Sequence, residues 1–160
     1  MDLDDQLQRA AERGKARQDA RAAQARAREL TEEEWKRLHS QLRLDVSDHI
    51  ERSMRSFETH FPGFRHETLY GDRGWGAACS RDDLRMAPAG RRQNEFSRLE
   101  ITVRPYSEYH ILDIQAKGTI RNRELFQRRH HESIDAADAT RFRERIDGWI
   151  VEFAELFSSS

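Results

Sequence analysis

The chain has a single cysteine among its 160 residues. No internal disulfide can staple it, and one thiol fits a reducing compartment. No stretch approaches the ~20 apolar residues that a membrane-spanning helix needs. The start, Met1-Asp2-Leu3-Asp4-Asp5, lacks the apolar run of a signal peptide. Together these absences predict a soluble, cytoplasmic protein without membrane contact. The formal net charge is only −1, so no global field draws the chain to nucleic acid or to an anionic membrane. The glycines at 71, 74 and 76 neither form a dinucleotide fingerprint nor precede the Gly-Lys-Ser/Thr of a nucleotide loop, so they read as a tight turn. No internal repeat is present.

What is present is charge in quantity. Charged residues make up 36% of the chain and hydrophobic residues another 36%, which predicts a modest core under a heavily solvated surface. Residues 1–30 are rich in Ala, Arg, Gln and Glu and contain no aromatic. Leu3, Leu7 and Leu30 cannot build an apolar stripe, so this arm is expected to be a solvated, fraying helix or disordered. Between Arg9 and Arg28 it is locally basic, with Arg13, Lys15, Arg17, Arg21 and Arg26. A soluble leader is the plainer reading, and contact with an acidic partner or RNA the sharper one. Residues 31–160 read as one domain.

Thr31 followed by Glu34 has capping-box spacing, with Glu32 and Glu33 favourable to the helix dipole. Behind it Trp35, Leu38, Leu42, Val46, Ile50, Met54, Phe57 and Phe61 recur every three or four residues. This predicts one amphipathic helix of roughly 30 residues, ended by Pro62-Gly63. Its first turns could overhang and meet a second copy, coiled-coil-like, although the heptads are irregular. Next, Phe64–Tyr70 and Trp75–Ser80 flank the Gly71-Asp72-Arg73-Gly74 turn. With Asp72 and Arg73 central, Tyr70 faces Trp75, Thr68 faces Ala77 and His66 faces Cys79. Asp82 to Glu95 is polar and reads as a long connection.

The clearest strand alternation lies between Phe96 and Ile120. Leu99, Ile101 and Val103 alternate with Arg98, Glu100, Thr102 and Arg104, and His110, Leu112, Ile114 and Ala116 continue the apolar side. A short connection through Pro105-Tyr106-Ser107-Glu108 would set Arg104 opposite Tyr109, Glu100 opposite Asp113 and Arg98 opposite Gln115. On the other face Ile101 would meet Leu112, and Leu99 would meet Ile114. Glu124–Gln127 is expected as a last, short strand, with Arg128, Arg129, His130 and His131 discouraging edge pairing. A final helix should start at Asp135, its stripe being Phe142, Ile146, Trp149, Ile150, Phe153 and Phe157, with close packing at Gly148. The fold expected is α+β: a two-layer sandwich of a long N-terminal helix, a four- to five-stranded antiparallel meander and a C-terminal helix on the same face.

Several constellations bear on chemistry. Glu100 opposite Asp113 would place like charges together, which needs cations, a shared proton or a metal. That pair supports an acid–base or metal-dependent enzyme, against the plainer reading that Arg98, Arg104 and Lys117 neutralise it. His66 with Cys79 could form a nucleophilic dyad, though no third orienting group is evident and a buried cysteine is the simpler reading. His130, His131 and Glu132 lack metal-ligand spacing, because neighbouring strand residues point to opposite faces. No catalytic residue, metal or cofactor is assigned. Tyr106 and Tyr109 beside Arg98, Arg104 and Lys117, together with the arm, offer an RNA-binding accessory reading, but Glu100 and Asp113 would repel phosphate on that face, so nucleic acid is not an expected partner of the protein. The reading that leads is a non-catalytic, adaptor- or chaperone-like interaction module. It would bind a protein partner, or a second copy, through an open sheet face of Arg98, Glu100, Arg104, Tyr109 and Asp113.

Overall fold

The computed structural model describes residues 2–86 and 88–160, and of residues 25–28 only the backbone. Met1 of the predicted leader, Ala87 of the predicted polar connection, and the side chains of Arg26 and Arg28 lie outside the described residues. Two units separate by their internal contacts, Met1–Glu34 and Trp35–Ser160.

In the first unit the arm is helical rather than disordered: α1 spans Leu3–Arg28, and all its described side chains are exposed. Asp2 accepts the Asp5 amide at 2.9 Å, and Asp4 and Asp5 sit in the first turn, where the dipole favours negative charge. α2 spans Glu32–His60, close to the length the apolar stripe predicts. The Glu34 amide donates to Thr31 Oγ1 at 3.2 Å, which is the backbone half of the capping box.

In the second unit the strands follow in sequence order as one antiparallel meander: β1 (Arg65–Leu69), β2 (Trp75–Met86), β3 (Arg92–Val103), β4 (Ile111–Ile120) and β5 (Arg123–Ser133). The β1–β2 register is the one that the Asp72-Arg73 turn predicts, with His66 opposite Cys79 and Thr68 opposite Ala77. Tyr70 lies just outside β1, in the turn closed by Gly74 N–H to Gly71 C=O at 3.1 Å. Gly76 must be glycine for a steric reason: a Cβ there would stand 2.0 Å from the Ile101 carbonyl oxygen.

Both helices cover one face. Val46, Ile50, Met54 and Phe57 of α2 join Phe142, Ile146, Trp149, Phe153 and Phe157 of α3 (Ala139–Ser158) in a cluster with Ala77, Cys79, Leu99, Ile101, Val103, Leu112, Ile114 and Ala116 of the sheet. These sheet residues are alternate positions on three strands, which is what a half-covered pleat requires. Gly118 leaves room for α3, since a Cβ there would lie 2.9 Å from the Phe153 ring. The outer face carries the polar set, so the expected two-layer α+β arrangement is the observed one.

Five sequence expectations are corrected. The β3–β4 register is shifted by four residues: Val103 pairs with Ile114, Ile101 with Ala116, Glu100 with Lys117 and Arg98 with Thr119. The connection is longer than a tight turn, because Arg104 N–H bonds to Asp113 C=O at 2.8 Å and the chain turns back at Ser107–His110, with His110 at φ 54. A shift of four keeps each residue on its face, so the aliphatic pattern could not detect it. Second, Asp82–Glu95 is no loose connection: the β2–β3 ladder continues to Met86 opposite Arg92. Third, β5 runs on to Ser133, because its inward residues find partners on α3: His130 packs on Phe142 with centroids 5.1 Å apart, and Glu132 binds Arg141. Fourth, α3 begins at Ala139 with Asp138, not Asp135, as its N-cap, accepting the Thr140 amide at 2.9 Å. Gly148, expected in close packing, faces open space.

Candidate functional site

The uncovered sheet face is shaped by two features of the sequence. Strand alternation aims Arg98, Glu100, Thr102 and Arg104 of β3 outward beside Gln115 and Lys117 of β4, with Thr102 opposite Gln115 and Glu100 opposite Lys117. The Gly71–Gly74 turn, with φ of 130° at Gly71 and 126° at Gly74, then raises Tyr70, Asp72 and Arg73 at one side. Glycine alone adopts that backbone freely. Between ladder and turn lies a shallow concavity of about 470 Å³, lined also by Leu69.

Its electrostatics are unequal. Four cations, Arg73, Arg98, Arg104 and Lys117, line it against the carboxylates of Asp72 and Glu100. Arg98 is occupied, reaching Glu67 at 3.2 Å and Glu100 at 3.4 Å. Arg104 Nη1 donates to the Arg73 carbonyl at 3.4 Å. Among the described residues, Arg73 and Lys117 have no ion-pair partner. Tyr70 stands 80% exposed at the rim. The arrangement can therefore hold an anionic group over the Thr102–Gln115 floor, with an apolar contact at Leu69 and Tyr70.

Of the five residues expected on this face, Arg98, Glu100 and Arg104 line the concavity, and Tyr109 and Asp113 do not. Tyr109 is in the β3–β4 connection, 85% exposed. Asp113 is buried on the β5 side, gripped by Arg129 through Nη2 at 2.7 Å and Nε at 3.2 Å, and this bond raises the Arg129 pKa. Glu100 and Asp113 therefore do not meet: the register separates them by ~13 Å along the strands. Tyr106 is also absent from the concavity. It packs edge-on against buried His39, 5.6 Å between centroids, near the Trp35–His110 stack at 4.3 Å. The sequence reading missed Tyr70, Asp72, Arg73, Thr102 and Gln115 as lining residues. The paired glycines signal a projecting turn, but not which strand face it overhangs.

The remaining constellations separate into structural roles. Cys79 is wholly buried, donates to the Met54 carbonyl at 3.2 Å, and has its thiol pushed up to about 12 by burial first, then by Glu58 and Glu51. That favours the thiol over the nucleophilic thiolate. His66 Nε2 lies 2.9 Å from Glu51 Oε1, and that oxygen accepts a hydrogen bond from Thr68 Oγ1 at 2.6 Å. Among the described residues, no three His, Cys, Asp or Glu side chains gather where one metal ion could sit, and no helix is long and apolar enough to cross a membrane. Comparison of the chain with protein-family models, curated proteins and solved structures gave no match.

Proposed function

We propose that the protein is a non-catalytic interaction module whose open sheet face docks an acidic, partly apolar segment of a protein partner. The observation that carries this reading is the surplus of cations in the concavity: among the described residues Arg73, Arg104 and Lys117 form no close ion pair, while Leu69 and Tyr70 supply an apolar rim. Arginine and tyrosine beside one another are the residues that most often carry binding energy at protein interfaces. Flanking cations steer an acidic segment and fix its register. Nucleic acid fits the face less well, because Glu67, Glu100 and Asp72 sit within or beside it and Tyr70 is its sole aromatic lining residue.

The test is a titration of the isotopically labelled full chain with a synthetic peptide of alternating Glu and Leu, read by amide chemical shifts. Shifts should cluster at Leu69–Gly74, Thr102 and Gln115, and the double variant Arg73→Glu/Lys117→Glu should abolish them while keeping the folded spectrum. Unmoved amides in that cluster, or undiminished binding by the double variant, would remove the proposal.

A further inference from the structure

The helix α1 carries an arginine ladder that the sheet-face reading does not use. Arg9, Arg13, Arg17 and Arg21 follow one another at i, i+4 spacing, all exposed, on a continuous helix. That spacing sets four guanidinium groups along ~18 Å of helix and within about a third of its circumference. The carboxylates Asp5, Glu12 and Asp19 recur every seven residues along a stripe centred about a third of a turn from the ladder, so that Asp5 and Glu12 neighbour Arg9 at i, i+4 and i, i+3 spacing. Among the described residues none of the four arginines forms an ion pair. Three successive like-charge i, i+4 pairs oppose an isolated helix, so the ladder is not there for helix stability.

We infer that α1 is a binding surface for double-stranded DNA, contacting phosphates without reading bases. Charge complementarity points to a polyanion, and the composition of the helix selects which one. A protein groove that takes a helix needs apolar anchors at i, i+3, i+4 and i+7, and a membrane surface needs an apolar face. Residues 1–30 have neither, with Leu3, Leu7 and Leu30 as their only large apolar side chains after Met1. Single strands are held by stacking on aromatics, and the arm has none. The major groove of RNA duplexes is too narrow for a helix, whereas that of B-form DNA admits one. Alanines 10, 16 and 20 next to the ladder let the backbone approach closely. Each arginine that neutralises a phosphate releases counterions, so binding is driven by salt-sensitive electrostatics and needs no apolar burial. This surface is independent of the sheet-face proposal, and either can fail alone.

The experiment is fluorescence anisotropy of the full chain with a labelled mixed-sequence DNA duplex of roughly two turns, between about 50 and 200 mM salt. Four phosphate contacts predict a log–log salt slope of about −3.6, weakening binding roughly a hundredfold across that range. Replacing one arginine, as in Arg13→Gln, should reduce the slope by about 0.9, and replacing all four by Gln should remove it. Gln favours helix nearly as well as Arg, and circular dichroism checks that the helix persists. Should it melt, the fourfold Arg→Lys variant decides instead, since it keeps the charge and should keep the slope. The charge reversal Arg73→Glu/Lys117→Glu should leave the slope intact. A flat salt dependence, equal binding by the fourfold Gln variant, tighter binding of single-stranded DNA of equal length, or displacement of the duplex by polyglutamate of equal charge would each overturn the inference. The last would point to an acidic protein in its place.

Discussion

The two faces of the sheet are made by the same strands and held by opposite rules. On the covered face Leu99, Ile101, Leu112 and Ile114 are wholly buried under α2 and α3, and their stability comes from non-directional area burial. On the open face Arg98, Glu100, Lys117 and Arg129 are held by pairwise charge contacts or none at all. Burial tolerates any register that keeps the faces, because oil packs against oil. Charge contacts do not, because one shift of register turns a repulsive pair into an attractive one. The covered face therefore specifies the fold, and the open face is where a change of register alters the pairing of charges.

The largest effect should come from breaking the covered face. Phe153 is fully buried and lies against Phe57, Phe126 and the cleft that Gly118 leaves. Phe153→Ala should cost about 3–5 kcal/mol, measured by denaturant unfolding with an unchanged m-value. A cost below 1 kcal/mol would mean that α3 does not seat on the sheet.

That asymmetry also decides what the sequence could reveal. The stripe from Val46 to Phe57 and the alternation from Leu99 to Val103 announce elements and faces, because burial leaves a periodic mark. The ribbon formed by Arg81–Met86 and Arg92–Ser97 extends past β1 on one side and β4 on the other. Its tip, 84–86 and 92–94, is exposed on both faces, and a strand with two wet faces has no alternation to read. Its base is instead held by Asn122, which bonds both ways with Phe96 at 2.8 Å, and by Glu95 clamped between Arg121 and Arg85. Hydrogen bonding by Arg121 foremost, and by Arg85, keeps the Glu95 carboxyl below its ordinary pKa. The candidate site was legible in the same partial way: alternation put Arg98, Glu100 and Arg104 on the open face, but nothing local placed the Asp72-Arg73 turn over them.

Acid should weaken the structure next most strongly, in two stages. His39 is buried beside Tyr106, and burial first, with Arg43 contributing, lowers its pKa from 6.5. Between the lowered value and 6.5 the unfolded chain binds more protons than the folded one, so its contribution is complete above pH 6.5 and lost as pH falls below it. Glu132, hydrogen-bonded by Arg141 foremost and then His130, is held at about 2. Its contribution is present above about pH 4.5 and disappears between there and about 2. Stability curves of His39→Phe and Glu132→Gln should each flatten in their own window, and identical flattening in both would refute the assignment. Smaller and opposite in sign, Gly148→Ala should raise stability by about 1 kcal/mol, because the added methyl meets nothing within 4 Å.

The smallest effect discriminates most sharply between the two faces, because its sign reports the register. Glu100 stands opposite Lys117 and accepts from Arg98 at 3.4 Å, so Glu100→Gln removes attractions and should destabilise, by roughly 0.2–1 kcal/mol for a half-exposed cross-strand pair. Had Glu100 faced Asp113, the same substitution would relieve repulsion and stabilise. A double-mutant cycle with Lys117→Met isolates the pair, and the coupling should be favourable and shrink as salt is added. A null or repulsive coupling would mean that β3 and β4 meet in another register. The covered face would scarcely register that change, whereas the concavity would be rebuilt around different charges.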